Sequence, residues 1–189
     1  MDYSGQTILV VAPDYPFPPD HGGRLDIWRR LQILKEMGFK TDLAVTVSGE
    51  ISEHALQEVK QYVNHLIICR RQAGIRYLIS RDPYQMCTRK SLTQIDLPDY
   101  YDYVLLESEY VMAVLGNPLL KAGQIIVRIH NDEALYLQEL SKSVHLGWRK
   151  LYYLVESYKC RLMKRKVLAA IDNFMFISRQ EYEVFTVRQ

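Results

Sequence analysis

The sequence predicts an open, mostly parallel α/β sheet flanked by helices. Short continuous apolar runs, such as residues 8–12 and 125–129, are typical of strands buried on both faces of a parallel sheet. Segments with apolar residues at helical spacing alternate with these runs, and glycine or proline clusters separate the two kinds of segment. This alternation favours parallel strands joined by helical crossovers.

The first strand and the first helix have clear boundaries in the sequence. Residues 8–12 form the strand, and Pro13 ends it. After a loop over residues 14–23, apolar side chains recur at helical spacing, and Gly38 stands where a helix C-cap is expected. The apolar positions of this helix are Ile27, Trp28, Leu31, Leu34 and Met37. Residues 41–47 are predicted to be the second strand.

The middle of the chain is less regular. A helix is expected from an N-cap at Ser52 to about Val63, and residues 65–69 are the third predicted strand. Residues 70–98 show poor periodicity, although residues 75–79 are compatible with a helix. The pattern therefore sets no definite element boundaries in this stretch.

Alternation of strands and helices resumes after residue 98. Buried strands are predicted at residues 104–106 and 125–129, with a short helix over 110–115 between them. A helix is expected over residues 132–140, and residues 174–177 close the series as a strand.

Segment 147–170 is predicted to be a long amphipathic helix. Its apolar positions fall on one stripe that we expect to pack on the sheet, formed by Leu151, Leu154, Val155, Tyr158 and Leu162. The segment contains seven basic residues and one acid, Glu156, a local net charge of +6. A solvated basic face is one interpretation. The alternative is peripheral contact with an anionic membrane surface, with Trp148 near one end.

Composition and charge exclude several classes of protein. The 189 residues include 24 Lys and Arg against 22 Asp and Glu, a net charge of +2, which argues against nucleic-acid binding. Cys69, Cys87 and Cys160 form no CxxC pair, so neither disulfides nor a metal site is expected. No apolar stretch approaches the roughly 18 residues of a membrane span, and no signal-peptide pattern precedes the first strand. We therefore expect a single cytoplasmic domain.

The strongest candidate site lies between the first strand and the first helix. Ligands bind at the carboxyl ends of strands in such sheets, and here Asp20, His21, Gly22, Gly23 and Arg24 open the helix. Free backbone N–H groups favour an anion, and the paired glycines let it approach the backbone. The helix dipole disfavours a cation in the first turn, so Arg24 fits a bound anion. The alternative is an Asp20–Arg24 surface pair, with glycines that serve only the turn.

A second candidate follows the strand that ends at residue 129. His130 can hydrogen-bond a sugar hydroxyl or transfer a proton, and Asn131 lies beside it at a helix start. The alternative for His130 is a hydrogen bond within its own loop. Glu107 follows another strand and is a candidate for lining the cleft, whereas Glu109 is expected to be a solvated acid in a first helical turn.

Other patterns are discounted. Asp99 and Asp102 precede their strand, so they are expected at the opposite edge of the sheet in structural roles. The sequence contains no GxGxxG after the first strand, which disfavours NAD, and it contains neither a P-loop nor a GxSxG motif.

Three segments together carry a family resemblance. Residues 8–24 combine a strand, a proline-rich loop and Gly22-Gly23-Arg24 at a helix start; residues 128–133 contain the strand-end histidine, and residues 176–181 contain Phe-Ile-Ser before a glutamate. These segments resemble the amino-terminal domain of GT-B glycosyltransferases of family 4. The resemblance implies that residues 1–189 are a single Rossmann-like domain, one half of a GT-B fold, without the donor-binding carboxy-terminal domain.

The resemblance also implies a function. Such an enzyme transfers a sugar from a nucleotide-sugar donor to a glycan or lipid-linked acceptor, usually with retention and without a metal or other cofactor. Carried over by motif, Gly22, Gly23 and Arg24 are expected at the donor phosphate or an anionic acceptor, and His130, the catalytic candidate, at the transferred sugar. His21 is grouped with the phosphate- or acceptor-binding residues, and Asn131, Glu107 and Ser178 are candidates for lining the cleft. The isolated chain is expected to be inactive. A non-catalytic anion- or sugar-binding module on the same fold is the alternative.

Overall fold

The computed structural model describes residues 3–98, 100–129 and 132–176, together with residues 179, 182 and 183. Within them, six parallel strands form one open sheet in the order β3-β2-β1-β4-β5-β6. The strands are β1 (Thr7–Ala12), β2 (Lys40–Val47), β3 (His65–Arg70), β4 (Tyr101–Leu106), β5 (Ala122–Ile129) and β6 (Asn173–Phe176). This is a Rossmann-like α/β fold, as the sequence predicts. The strand order reverses between β1 and β4, where such sheets bind ligands.

Helices and short 3₁₀ segments connect the strands. The α-helices are α1 (Gly22–Glu36), α2 (Glu53–Lys60), α3 (Tyr84–Cys87), α4 (Glu133–Ser143) and α5 (Trp148–Ala170). The 3₁₀ segments are Ile75–Ile79, Lys90–Gln94 and Glu109–Gly116. The last of these replaces the short α-helix expected there. Gly38 follows α1 with a φ of +87°, which fits its predicted role at the helix end.

Two apolar cores cover the two faces of the sheet. Alternate residues of β1 point to opposite faces, so Leu9 belongs to one core and Val10 to the other. Helix α1 packs on the Val10 face, and its buried side chains are the predicted Ile27, Trp28, Leu31 and Leu34. Helix α5 contributes Met163 and Val167 to the Leu9 face. Burial of β1 on both faces explains its continuous apolar run.

Helix α5 is rotated relative to the sequence prediction. Of the apolar stripe expected to pack on the sheet, Leu151, Leu154, Val155 and Tyr158 are between 40% and 64% exposed. The buried face instead carries polar residues in its first half, including Glu156 and Lys159, which are 4% and 6% exposed. The prediction that the stripe docks on the sheet was therefore wrong. The physical reason is a buried polar contact with residues 78–84, described below.

The amino-terminal edge of the sheet is held by acidic side chains. Asp102 accepts hydrogen bonds from the Thr7 amide at 2.7 Å and the Thr7 hydroxyl at 2.9 Å, and these bonds lower the pKa of its carboxyl. Nearby, the buried Tyr101 hydroxyl donates to Asp42 at 2.8 Å. These bonds confirm a structural role for Asp102, while Asp99 lies outside the described residues.

Three findings concern the cysteines, the potential metal ligands and the helices of the described chain. Cys69, Cys87 and Cys160 are buried and unpaired. The described residues contain no group of three or more potential metal ligands. Among the described helices, none combines the length and the apolar character that crossing a membrane requires.

Candidate functional site

A cavity of about 400 Å³ opens at the carboxyl ends of β1 and β2. We call it the arginine pocket. Its main lining residues are Asp14, Tyr15, Phe17, Arg24, Ser48 and Arg71. The pocket exists because the loop after β1 is long, and because Phe17 packs edge-on against Trp28 of α1 with ring centroids 5.1 Å apart. It lies on the sheet edge at which ligands of open α/β sheets bind.

Arg24 enters this pocket already paired with carboxylates. Its guanidinium lies 2.8 Å from Asp14 Oδ2 and 3.1 Å from Asp20 Oδ2. The Asp20 pair is the surface contact considered as the alternative to an anion site. The Asp14 pair was not expected, because a proline-rich loop separates Asp14 from Arg24 in the sequence. A ligand that uses Arg24 must therefore share it with two acids.

The residues just before Arg24 occupy the start of α1 rather than the pocket wall. The His21 ring caps the helix, where Nδ1 accepts from the Arg24 amide at 3.4 Å. A side chain at Gly22 would meet open space, whereas one at Gly23 would lie 3.5 Å from the His21 ring. Of these predicted binding residues, the structure places Arg24 in the pocket and leaves the Gly22 backbone open to the surroundings.

Two arginines that the sequence analysis did not identify donate hydrogen bonds to the backbone just after β1. The Pro13 carbonyl accepts from the Thr46 hydroxyl at 2.9 Å, from Arg89 at 3.2 Å, and also from Arg71. Arg89 is 4% exposed, and burial lowers its pKa to about 10. Arg71 lies 3.6 Å from Asp14, and its buried Nε finds no hydrogen-bond partner among the described residues. Both arginines come from residues 70–98, where periodicity gave no signal.

A second polar group, which we call the acid cluster, follows β4 and β5. It comprises Glu109, Tyr110, Asp132, Glu133 and Lys164. The Tyr110 hydroxyl donates to Glu133 Oε2 at 3.1 Å, and Lys164 Nζ lies 3.4 Å from Asp132 Oδ2. Burial raises the pKa of the Glu133 carboxyl.

Glu109 differs most from the sequence expectation. Its side chain was expected to be solvated, but the residue is 8% exposed. Burial, with the nearby Glu133 and Asp132, raises its pKa to about 8. Glu109 therefore holds a proton at neutral pH and can donate it in a hydrogen bond.

Glu107 does not reach the cleft that it was expected to line. Its side chain is fully buried, with Arg30 of α1 at 2.5 Å and Arg128 of β5 at 3.4 Å. The Arg128 guanidinium also forms an ion pair with the Asp26 carboxylate of α1, at 2.5 Å. This network ties α1 to the ends of β4 and β5, so Glu107 holds the walls of the site in position.

The remaining predicted residues, His130, Asn131 and Ser178, lie outside the described residues. The residues that flank the first two are described. Ile129 ends β5, and Asp132 caps α4 by accepting from the Leu135 amide at 3.0 Å. In the sequence, His130 and Asn131 stand between the last residue of β5 and the helix cap Asp132.

Arg89 connects the two parts of the site. Its guanidinium contacts the Pro13 carbonyl beside the arginine pocket, and it lies 5.9 Å from the centre of the Tyr110 ring. Tyr110 in turn bonds Glu133. The arginine pocket and the acid cluster therefore lie on the same sheet edge, on either side of the strand-order reversal.

Comparison with known proteins gives one informative relative. No protein-family model matches the chain, and no solved structure matches it. The chain is 36% identical over 178 residues to an uncharacterized 44.6 kDa protein in the cps region of Klebsiella pneumoniae. The similarity covers 92% of this chain and 46% of that protein, so the chain spans about half the length of this relative. The chain is thus a Rossmann-like α/β unit similar to a cps-region protein.

Proposed function

We propose that this chain is the acceptor-side half of a glycosyltransferase that acts in capsular polysaccharide biosynthesis. The observation that carries the proposal is the arginine pocket at the carboxyl edge of the sheet. Similarity to a cps-region protein supports a role in making glycans. In this proposal, a region equivalent to the unmatched part of that relative supplies the rest of the enzyme, including most of the donor site.

The charges of the arginine pocket favour a sugar over a free diphosphate. Arg24 and Arg71 are balanced there by Asp14 and Glu50, so the lining carries no net positive charge. Paired acids and arginines offer both acceptors and donors to sugar hydroxyls, and the half-buried Phe17 ring offers an apolar wall. We therefore assign the pocket to the glycan part of the acceptor.

The acid cluster fits the side of the cleft where a glycosidic bond forms. In this cluster Glu109 is protonated and Tyr110 bonds Glu133, which stands three positions after His130 in the sequence. In this proposal His130 orients the transferred sugar, and the cluster holds protons within reach of its hydroxyls. A nucleotide sugar is the donor, and no metal or cofactor takes part.

The proposal predicts saccharide binding that depends on Arg24. We expect oligosaccharides released from bacterial capsule to stabilise the chain against heat, and Arg24→Met to weaken their affinity by about tenfold or more, because a charged hydrogen bond is lost. Isothermal titration calorimetry measures the affinity. Inorganic pyrophosphate, nucleoside diphosphates, nucleotide sugars and NAD complete the ligand panel.

Arg29→Met is the matched control, since Arg29 lies exposed on the same helix. It should bind saccharides as the unmodified chain does. Equal weakening in both variants would mean that the effect is not local to the pocket. Binding of pyrophosphate alone, without any saccharide, would favour the donor-phosphate assignment of Arg24 and contradict the acceptor assignment. Binding of NAD would contradict both.

A further inference from the structure

An apolar surface lies exposed on the outer side of α5 and the neighbouring 3₁₀ segment. On α5, Trp148, Leu151 and Val155 are 75%, 64% and 40% exposed. On the 3₁₀ segment, Ile75 and Ile79 are 85% and 89% exposed, and Leu78, 40% exposed, shares a cavity with the three α5 residues. These six side chains define what we call the apolar surface. A cavity of about 400 Å³ separates Leu78 from the α5 residues.

Polar contacts beneath this surface fix its orientation. Glu156 Oε2 accepts from the Tyr84 amide at 2.7 Å, and Glu156 Oε1 lies 2.7 Å from Lys159 Nζ. Lys159 also donates to the Leu78 carbonyl at 2.8 Å. Because these buried bonds face inward, the apolar side chains of both elements point outward. Their exposure is therefore built into the packing of α5.

The exposed charges on α5 itself are all positive, and Asp82 of the loop after the 3₁₀ segment pairs with Lys166 at 2.9 Å. Glu156 is the only acid in residues 148–170, and it is buried and paired. The outer face of α5 carries exposed cations at Arg149, Arg161, Arg165 and Lys166, and the 3₁₀ segment adds exposed Arg76. An ordinary solvated helix mixes both signs of charge on its outer face. Here apolar and cationic side chains share that face.

We propose that the apolar surface docks on an anionic lipid surface, with Trp148, Leu151 and Ile79 entering the boundary between headgroups and acyl chains. Apolar side chains rimmed by Lys and Arg are the chemistry that binds such a surface. A second copy of the chain fits less well, because its own cations would face those of the first copy. The contact lies in the apolar first half of α5, whereas the sequence pointed to the basic helix as a whole.

Vesicle co-sedimentation tests this proposal on the 189-residue chain. We expect it to bind vesicles of phosphatidylcholine mixed with phosphatidylglycerol at least about tenfold more tightly than vesicles of phosphatidylcholine alone, and to lose that preference at high salt. The double variant Leu151→Ser, Ile79→Ser should bind the mixed vesicles about tenfold more weakly, since two apolar side chains no longer enter the lipid.

The matched control is Ile33→Ser, Leu119→Ser, which makes the same changes at residues 52% and 48% exposed elsewhere. It should bind vesicles as the unmodified chain does, and so should Arg24→Met, which separates this proposal from saccharide binding. Absence of binding to mixed vesicles overturns the proposal, as does equal loss in the control. A dimer that dissociates only in Leu151→Ser, Ile79→Ser, without vesicle binding, would assign the surface to a second copy instead.

Discussion

Replacing Glu107 with alanine is expected to destabilise the folded chain by about 3–5 kcal/mol. Glu107 is fully buried between Arg30 and Arg128. Its removal leaves the Arg128 guanidinium, 7% exposed, with Asp26 as its ion-pair partner. Burying a charge without its partner costs more than the pair contributes. Urea denaturation, followed by tryptophan fluorescence, measures the free energy of unfolding.

Two further variants separate loss of the pair from loss of packing. Glu107→Gln keeps the shape of the side chain and should still destabilise, because the neutral amide does not compensate two guanidinium groups. Glu107→Leu combined with Arg128→Met should cost less than the sum of the two single changes, since both buried charges are removed together. A change of less than about 1 kcal/mol in Glu107→Ala would contradict the network's role in holding α1 on the sheet.

Replacing Glu109 with glutamine is expected to stabilise the chain at alkaline pH. The pKa of Glu109 is raised from 4.5 to about 8, so the folded state keeps a proton that the unfolded chain has already lost. The free energy of unfolding therefore falls as pH rises from about 4.5 to about 8, because keeping Glu109 protonated against rising pH, or ionising it while buried, destabilises only the folded state. Glutamine removes this fall, and at pH ~9 we expect a gain of about 5 kcal/mol at most.

Thermal and urea unfolding between pH ~4 and ~9 measures this pH dependence. Below the unfolded pKa, the unmodified chain and Glu109→Gln should have similar stability, and the difference should open as pH rises. Glu139→Gln is the control, since Glu139 lies on α4 with a side chain 57% exposed and pairs with Lys142. If the pH dependence of Glu109→Gln matches that of the unmodified chain, this contradicts the conclusion that Glu109 is protonated in the folded chain at neutral pH.

The sheet could be predicted because its strands are buried on both faces. Residues 8–12 and 125–129 lack polar residues apart from Arg128, and both fall within observed strands. Gly38 and Ser52 mark helix ends by backbone conformation and side-chain capping, as expected. These signals are local, so a sequence displays them without knowledge of the fold.

Features that depend on contacts distant in sequence could not be predicted in this way. Helical spacing shows which α5 residues share a face, but the Glu156 bond to Tyr84 decides which face is buried. Arg71 and Arg89 carry no motif, and only their convergence on Pro13 marks them. The raised pKa of Glu109 depends on its burial in the fold and on neighbours 23 and 24 positions away, Asp132 and Glu133. For Arg24, the acidic partner at Asp20 was foreseen, but the one at Asp14 was not.

The most direct test of the proposed sugar site is an NMR titration of the ¹⁵N-labelled chain with capsular oligosaccharides. We predict chemical-shift changes concentrated at the backbone amides of Arg24, Ser48, Gly49 and Ser52, which line the arginine pocket. The same changes should be lost in Arg24→Met and kept in Arg29→Met. Shift changes confined to other surfaces, or no change at saturating saccharide, would contradict the assignment of this pocket to a glycan.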